Sequence, residues 1–362
     1  MHSERIARVA RNLQEMGLSQ ALVSDPLSIF YLTGYYTQPY ERFFALLLRL
    51  TDGGVRTTLF CNCLFPDATG AADELVTFSD TDNPVPMVVA ACDNAAPLGV
   101  DKTLEARWLV PLMNAQAGTC VRLSSAAVDE ARSQKDARER ELMREASRIN
   151  DEGMAWLARQ VAQDVTEQTI AEQLLDTYRS LGAQDLAFSP IVSFGANAAD
   201  PHHEPDGTAF TLGDMVLFDV GCKLDGYCSD MTRTFFTAQP TVHQLNVYDT
   251  VRRANEAAEA IVRPGVLFSE LDRTAREVIE DAGFGPYFTH RLGHQIGMQE
   301  HEPGDVSASH HEPVRPGQVF SIEPGIYLPD DIGVRIEDLV LVTECGCEIL
   351  NHFTHEPTVL EV

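Results

Sequence analysis

Two stretches in the C-terminal half of the chain read as one hairpin written twice, with two acids in each. The first runs Gly213-Asp-Met-Val-Leu-Phe-Asp219 and then Asp225-Gly-Tyr-Cys-Ser-Asp230. The second runs Gly317-Gln-Val-Phe-Ser-Ile-Glu323 and then Ile332-Gly-Val-Arg-Ile-Glu337. Gly213 aligns with Gly317, Asp219 with Glu323, Gly226 with Gly333 and Asp230 with Glu337. The acids sit within or beside strand-like apolar residues, where carboxylates are uncommon. Exposed acids at strand ends would account for one such residue, but poorly for four in two matching contexts.

A turn centred between Leu224 and Asp225 would set Asp219 directly opposite Asp230, on one face of the sheet. Two carboxylates about 4 Å apart repel by roughly 4 kcal/mol at an effective dielectric near 20. A shared proton or a cation relieves that repulsion. A proton dyad needs two acids; four acids from two matching halves fit a pair of divalent ions better. Oxygen donors favour Mn²⁺ or Mg²⁺, and one imidazole would admit Co²⁺, Zn²⁺ or Fe²⁺.

The repeat extends beyond the hairpins. Residues 165–182 and 266–283 are both helix patterns ending in glycine, and each is followed by an acidic hairpin at a similar offset. A duplication predicts two related halves with a site between them. Ahead of them lies a different pattern. Residues 4–16 place Ile6, Val9, Leu13 and Met16 at helical spacing, stopped by Gly17. Strands are expected at 21–24, 43–50, 56–61 and 99–101, and a helix at 104–117. Alternating strands and helices predict a small α/β domain. Residues 129–160 read as one long charged connecting helix. The expected organisation is an N-terminal domain over residues 1–125 and a larger domain over 126–362.

Charge and composition exclude several functions. The formal net charge is -27, which disfavours nucleic acid or an anionic membrane as partner. No apolar run reaches membrane-spanning length, and residues 1–8 have no signal-peptide core, so a cytoplasmic protein is expected. The eight cysteines include Cys61/Cys63 and Cys345/Cys347, but C-x-C spacing matches no paired zinc ribbon, and reduced thiols are expected.

Histidines crowd near the hairpins. His202 and His203 precede the first; His290, His294 and His301 lie between the two. Glycines around His294 let backbone approach a crowded centre, and they disfavour reading His290 and His294 as a helical zinc pair.

With these segments in hand, the chain resembles the prolidase/aminopeptidase P branch of the pita-bread metallopeptidases. The matching motifs are Pro201-His202, Asp219-Val-Gly, Gly226-Tyr-Cys-Ser-Asp-Met-Thr-Arg-Thr, His290-Arg-Leu-Gly-His294-Gln-Ile-Gly, His301-Glu, Ser321-Ile-Glu-Pro-Gly and Gly333-Val-Arg-Ile-Glu-Asp. Tyr31-Leu-Thr-Gly34 resembles that branch's small N-terminal domain, which methionine aminopeptidases usually lack. The resemblance implies an α/β creatinase/prolidase-like domain followed by a pita-bread catalytic domain. It implies five metal ligands, Asp219, Asp230, His294, Glu323 and Glu337, with Asp230 and Glu337 bridging two divalent ions. Mn²⁺ is expected, with Co²⁺ or Zn²⁺ as alternatives. His202, His290 and His301 fall on the family's active-site histidines, and Arg335 on its second-shell arginine. Gln295 departs from the small residue usual there. Creatinases and non-catalytic relatives lack this ligand set.

The implied chemistry is hydrolysis of the bond between an N-terminal residue and proline. Metal ions would acidify the attacking water, and Glu323 would take its proton as general base. His202 and His301 would bind the scissile carbonyl, and His290 and Arg335 the proline or its carboxylate. A dipeptidase is favoured over an aminopeptidase P acting on longer peptides. A non-catalytic peptide-binding protein on the same fold is the other class. The partner is a proline-containing di- or oligopeptide, and a homodimer is the family expectation.

Overall fold

The computed structural model describes residues 2–362. Its contacts divide the chain into two compact units, one ending at Arg132 and one spanning Ser133–Val362.

The first unit begins with α1 (Ser3–Glu15), which buries Ile6, Val9, Ala10 and Leu13 as a single stripe. Gly17 ends it with a φ of +68°. Then come β1 (Gln20–Val23), α2 (Pro26–Thr33), β2 (Ala45–Thr51), β3 (Gly54–Asn62), β4 (Glu74–Phe78), α3 (Val85–Ala91), β5 (Leu98–Val100), α4 (Ala106–Asn114), β6 (Val121–Leu123) and α5 (Ser125–Ser133). The strands form a six-stranded mixed sheet ordered β4-β3-β2-β1-β5-β6. The expected strands and both expected helices are present. The short helix α2 was not foreseen. It carries its own start and stop signals: Asp25 caps the Ser28 N–H, Pro26 opens it, and Gly34 ends it at φ +76°.

The expected long connecting helix is in fact two. α5 stops at Ser133, and α6 (Ala137–Leu157) starts afresh with a capping box between Asp136 and Glu139. The aspartate competes for backbone N–H groups and so favours an N-cap over a helix interior.

The second unit continues with α7 (Glu167–Ser180), β7 (Asp185–Leu186), β8 (Ile191–Phe194), a 3₁₀ turn (Gly195–Ala199), β9 (Met215–Val220), β10 (Cys222–Leu224), β11 (Tyr227–Cys228) and β12 (Met231–Phe236). Its second half holds α8 (Val242–Ala260), α9 (Phe268–Asp281), β13 (Gly293–Gln295), β14 (Glu302–Val306), β15 (Val319–Ile322), β16 (Gly325–Leu328), β17 (Ile332–Arg335), β18 (Asp338–Val342) and β19 (Cys347–Ile349). α7 and α9 are both 14 residues long and lie about a hundred residues apart, as the duplication requires. One antiparallel sheet runs β12-β9-β8 and its counterpart β14-β13-β15-β18-β19. Each half has its own apolar core, with α6 and α7 over the first sheet and α8 and α9 over the second. The halves are stitched along β12: the Glu337 N–H donates to Thr232 O at 3.1 Å, and the Arg335 N–H to Thr234 Oγ1 at 3.3 Å.

Candidate metal centre

The first hairpin turns at Asp225-Gly226, with φ of +47° and +87°, one residue later than expected. Asp and Gly tolerate the left-handed region that both central positions of such a turn require; Leu224 does not. Asp219 therefore faces Thr232, and on its other side Ile191, rather than Asp230. Asp230 lies two positions from Thr232 and so keeps the same face, as a diagonal neighbour. The second hairpin does oppose its acids. Ile322 pairs with Asp338 and Gly325 with Arg335 in one continuous register, which sets Glu323 opposite Glu337 where the ladder is interrupted.

The fifth residue, His294, arrives on β13 next to β15. Its Nδ1 contacts the Gln295 carbonyl at 3.2 Å and its N–H donates to Ser321 Oγ at 3.1 Å. Nδ1–H as the donor leaves the Nε2 lone pair free. Nε2 lies 3.4 Å from Glu323 Oε1 and 3.7 Å from Asp230 Oδ2. Burial, then His301, pushes His294 down to about 3, so at neutral pH a lone pair faces two carboxylates. Donor atoms of Asp230, His294 and Glu337 all lie within 4.8 Å of one another.

The acids carry the same signature. Oδ1 of Asp219 and Oδ1 of Asp230 are buried with no hydrogen-bond partner. Burial, then Glu337, drives Asp230 far above the usual carboxylate range; burial, then Glu323, does the same to Glu337. Burial lifts Glu323 to about 7. Acceptors this close, unpaired and desolvated fit divalent cations, whose charge reverses each of these costs.

Around this cluster is a ring of neutral and cationic contacts. Glu337 accepts from Thr232 Oγ1 at 2.6 Å, and Glu323 from Ser321 Oγ at 3.1 Å. Arg335 is buried and donates to Asp219 Oδ2 at 2.6 Å, Thr232 Oγ1 at 3.0 Å and the Tyr327 hydroxyl at 2.8 Å. That hydroxyl lies 2.8 Å from His290 Nε2, while His290 Nδ1 lies 2.7 Å from the Arg291 carbonyl. Both nitrogens of His290 are thus engaged by protein. Burial, then Arg335, lowers His290 to about 4, so the ring is neutral and its Nε2 accepts a hydrogen bond from the tyrosine hydroxyl. Sequence reasoning missed Tyr327, Thr232 and Ser321; each alternates with a predicted residue along its strand, and that periodicity was the available signal.

The four acids and the imidazole open into a cavity of about 900 Å³, which His202, His290, His301 and Arg335 also line. His202 and His301 are exposed on its wall, and the His301 ring centre is 4.0 Å from that of His294. Gln295 is buried in β13, and its side chain presses on Gly304, where a Cβ would fall 2.4 Å from Nε2.

Comparison with known proteins accords with this arrangement. Residues 141–344 match the model of metallopeptidase family M24, and residues 5–134 that of the creatinase/prolidase N-terminal domain. An uncharacterized peptidase of Staphylococcus aureus is 33% identical over 358 residues, covering 96% of this chain and 99% of its own. A prolidase from Thermococcus sibiricus superposes with a TM-score of 0.92 at 31% identity, over 99% of this chain and all (100%) of the other. Dipeptidase PepE from Mycobacterium ulcerans gives 0.90 at 31% identity, over 99% of this chain and 98% of the other.

Proposed function

The chain belongs to metallopeptidase family M24, with a creatinase/prolidase-type N-terminal domain before a pita-bread catalytic domain, and from that premise we propose that it hydrolyses the X–Pro bond after the first residue of a peptide. The observation that carries this reading is the approach of His294 Nε2 to Glu323 and Asp230, beside the orphaned oxygens of Asp219 and Asp230, in residues that all line one cavity. Asp219, Asp230, His294, Glu323 and Glu337 would hold two divalent ions, and Mn²⁺ suits four carboxylates with one imidazole. Once bound, the ions supply an acidified water and a Lewis acid for the scissile carbonyl.

The chain's own residues do the rest. Glu323, steadied by Ser321, takes the proton of the attacking water. His202 and His301, exposed on the wall, hydrogen-bond the carbonyl as charge develops on it. Arg335 orients Asp219, and His290 orients Tyr327, so our reading gives both a positioning role instead of a direct grip on substrate. A prolyl nitrogen has no N–H to donate, so the wall must recognise the ring by shape.

X-Pro dipeptides are the favoured substrates, matching the names carried by the prolidase and dipeptidase structures above. A cavity of about 900 Å³ also leaves room for longer peptides, which keeps an aminopeptidase P activity as the second reading. We place the enzyme in the cytoplasm as a homodimer. Ala-Pro and Ala-Pro-Ala offered with Mn²⁺, Co²⁺ or Zn²⁺ in turn decide the matter. Proline release from Ala-Pro supports the dipeptidase, and release of alanine from the tripeptide supports the aminopeptidase. Metal-loaded protein that cleaves neither leaves only a non-catalytic peptide binder.

A further inference from the structure

Glu167, the first residue of α7, is fully buried and lies outside the metal centre. Its Oε1 accepts from the Phe194 N–H at 2.6 Å and Asn197 Nδ2 at 3.0 Å. Its Oε2 accepts from His203 Nε2 at 2.7 Å and the Asp206 N–H at 3.2 Å. Protein donors fill every site on the carboxylate, so this cluster is a clamp and not an ion site.

What the clamp holds is the cavity wall. Pro201, His202, His203, Glu204 and Pro205 are consecutive and all line the cavity. The segment is anchored on one side by Glu167. On the other, the Ala198 carbonyl lies where a Cβ on Gly333 would come within 1.6 Å. The His202 ring has no hydrogen-bond partner of its own among the described residues; only its N–H is tied, to Asp200 at 3.0 Å. Its direction depends on the segment.

The repeat supplies a built-in control. α9 begins with Phe268 at the position of Glu167. The backbone wrap is the same: Glu167 N–H to Thr208 O and Gln168 N–H to Asp206 O in the first half, Phe268 N–H to Glu312 O and Ser269 N–H to His310 O in the second. Phe268 anchors its segment by stacking on His310, with ring centres 4.5 Å apart, and none of residues 306–314 lines the cavity among the described residues. An apolar ring therefore suffices to anchor this loop. The loop that lines the cavity uses a buried carboxylate instead, whose four bonds fix direction as well as position.

We propose that Glu167 is a positioning residue of the peptidase site: with His203 it holds residues 200–205 so that His202 meets the scissile carbonyl. The inference rests on the X–Pro reading for what His202 touches. A double-mutant cycle tests it. Glu167→Gln should lower kcat/KM for Ala-Pro or Ala-Pro-Ala at least tenfold, mainly through kcat, with two metal equivalents retained. In a His202→Ala background the same change should cost less than twofold. A full tenfold loss there, or loss of metal, overturns the proposal. If Glu167→Gln does not fold, His203→Leu replaces it in the cycle, and His203→Gln, which keeps an N–H donor, should recover activity. A wild type inactive on both peptides sinks the X–Pro reading alone. Amide hydrogen exchange still tests the clamp: residues 195–208 should exchange faster in Glu167→Gln while residues 215–236 do not, and unchanged exchange overturns it.

Discussion

The two halves of the catalytic unit share a plan and differ at a few corresponding positions. Asp219 pairs with Ile191, and the Glu323 N–H bonds the Leu292 carbonyl. Laying Asp219 on Glu323 therefore lays Ser193 on His294. Ser193 is buried, and its hydroxyl has no partner; His294 occupies the matching place and aims a nitrogen at the acids. The same exercise lays Glu167 on Phe268, and with the helices aligned it lays Tyr178 on Ile279 and Gly153 on Ala258. Each half gives two carboxylates, but only the second gives the imidazole, and only the first gives the polar clamp on the wall. Both halves line the cavity, but the second alone adds an imidazole to the acids and the first alone clamps a lining loop with a buried carboxylate.

The strongest test of that division is ion counting. Asp230→Ala and Glu337→Ala, one from each half, should both abolish metal binding and lower activity at least about a thousandfold, since each leaves the remaining buried acids unbalanced. Elemental analysis checks the first part, and full activity without either carboxylate would sink the ligand assignment. A smaller effect is expected from His294→Ser, which copies the first half into the second. It should leave one equivalent of metal and reduce kcat roughly a hundredfold. Retention of two equivalents would mean the imidazole is not a ligand.

Much of this is legible in the sequence, for a physical reason. The turn lies one residue later than the spacing predicts, which moves the partner of Asp219 by two, from Asp230 to Thr232. Because strand faces alternate with a period of two, Asp219 and Asp230 still came out on one side. The five donors were legible because each sits in a glycine-marked motif. The match of Ser193 to His294 was not, since it depends on which residues a ladder pairs. Glu167 was not legible either: an acid in the first turn of a helix is ordinary by sequence, and only its burial makes it unusual. Strand periodicity puts Tyr327 and Thr232 on the face of the predicted acids, but not the Arg335 guanidinium that both of them contact.

Packing gives a test of intermediate size. Asn150 Nδ2 donates to Val220 O at 2.8 Å, and Asn255 Nδ2 to Ile322 O at 3.0 Å, one link per half. In the first half Tyr178 donates its hydroxyl to Asn150 Oδ1, and its ring fills space that a Cβ on Gly153 would enter at 2.4 Å. In the second, Ile279 has no hydroxyl, and Asn255 Oδ1 is left without a partner. Tyr178→Phe should therefore cost about 1–3 kcal/mol by orphaning the Asn150 carbonyl. Ile279→Phe adds bulk without removing any donor, so it isolates the packing contribution. An unchanged thermal midpoint in Tyr178→Phe would show that ring volume, not the hydroxyl, distinguishes the halves.

The smallest effect at neutral pH is predicted at Glu259 on α8, whose counterpart on α6, in the alignment that matches Asn150 to Asn255, is the apolar Met154. Burial, then the charge of Asp338, lifts Glu259 to about 9 from an ordinary 4.5. The folded chain then binds a proton that the unfolded chain has released. The stability this contributes is complete below about pH 4.5 and is lost as pH rises through about 9. At pH 7 Glu259→Gln replaces a neutral acid with a neutral amide, so the thermal midpoint should shift by no more than a few degrees. The difference should appear on raising the pH from 5 to 9, where the wild-type midpoint falls and that of the variant falls less. Parallel curves for the two proteins would mean Glu259 stays ionised in the fold, and that the second half buries a charge where the first buries a methionine.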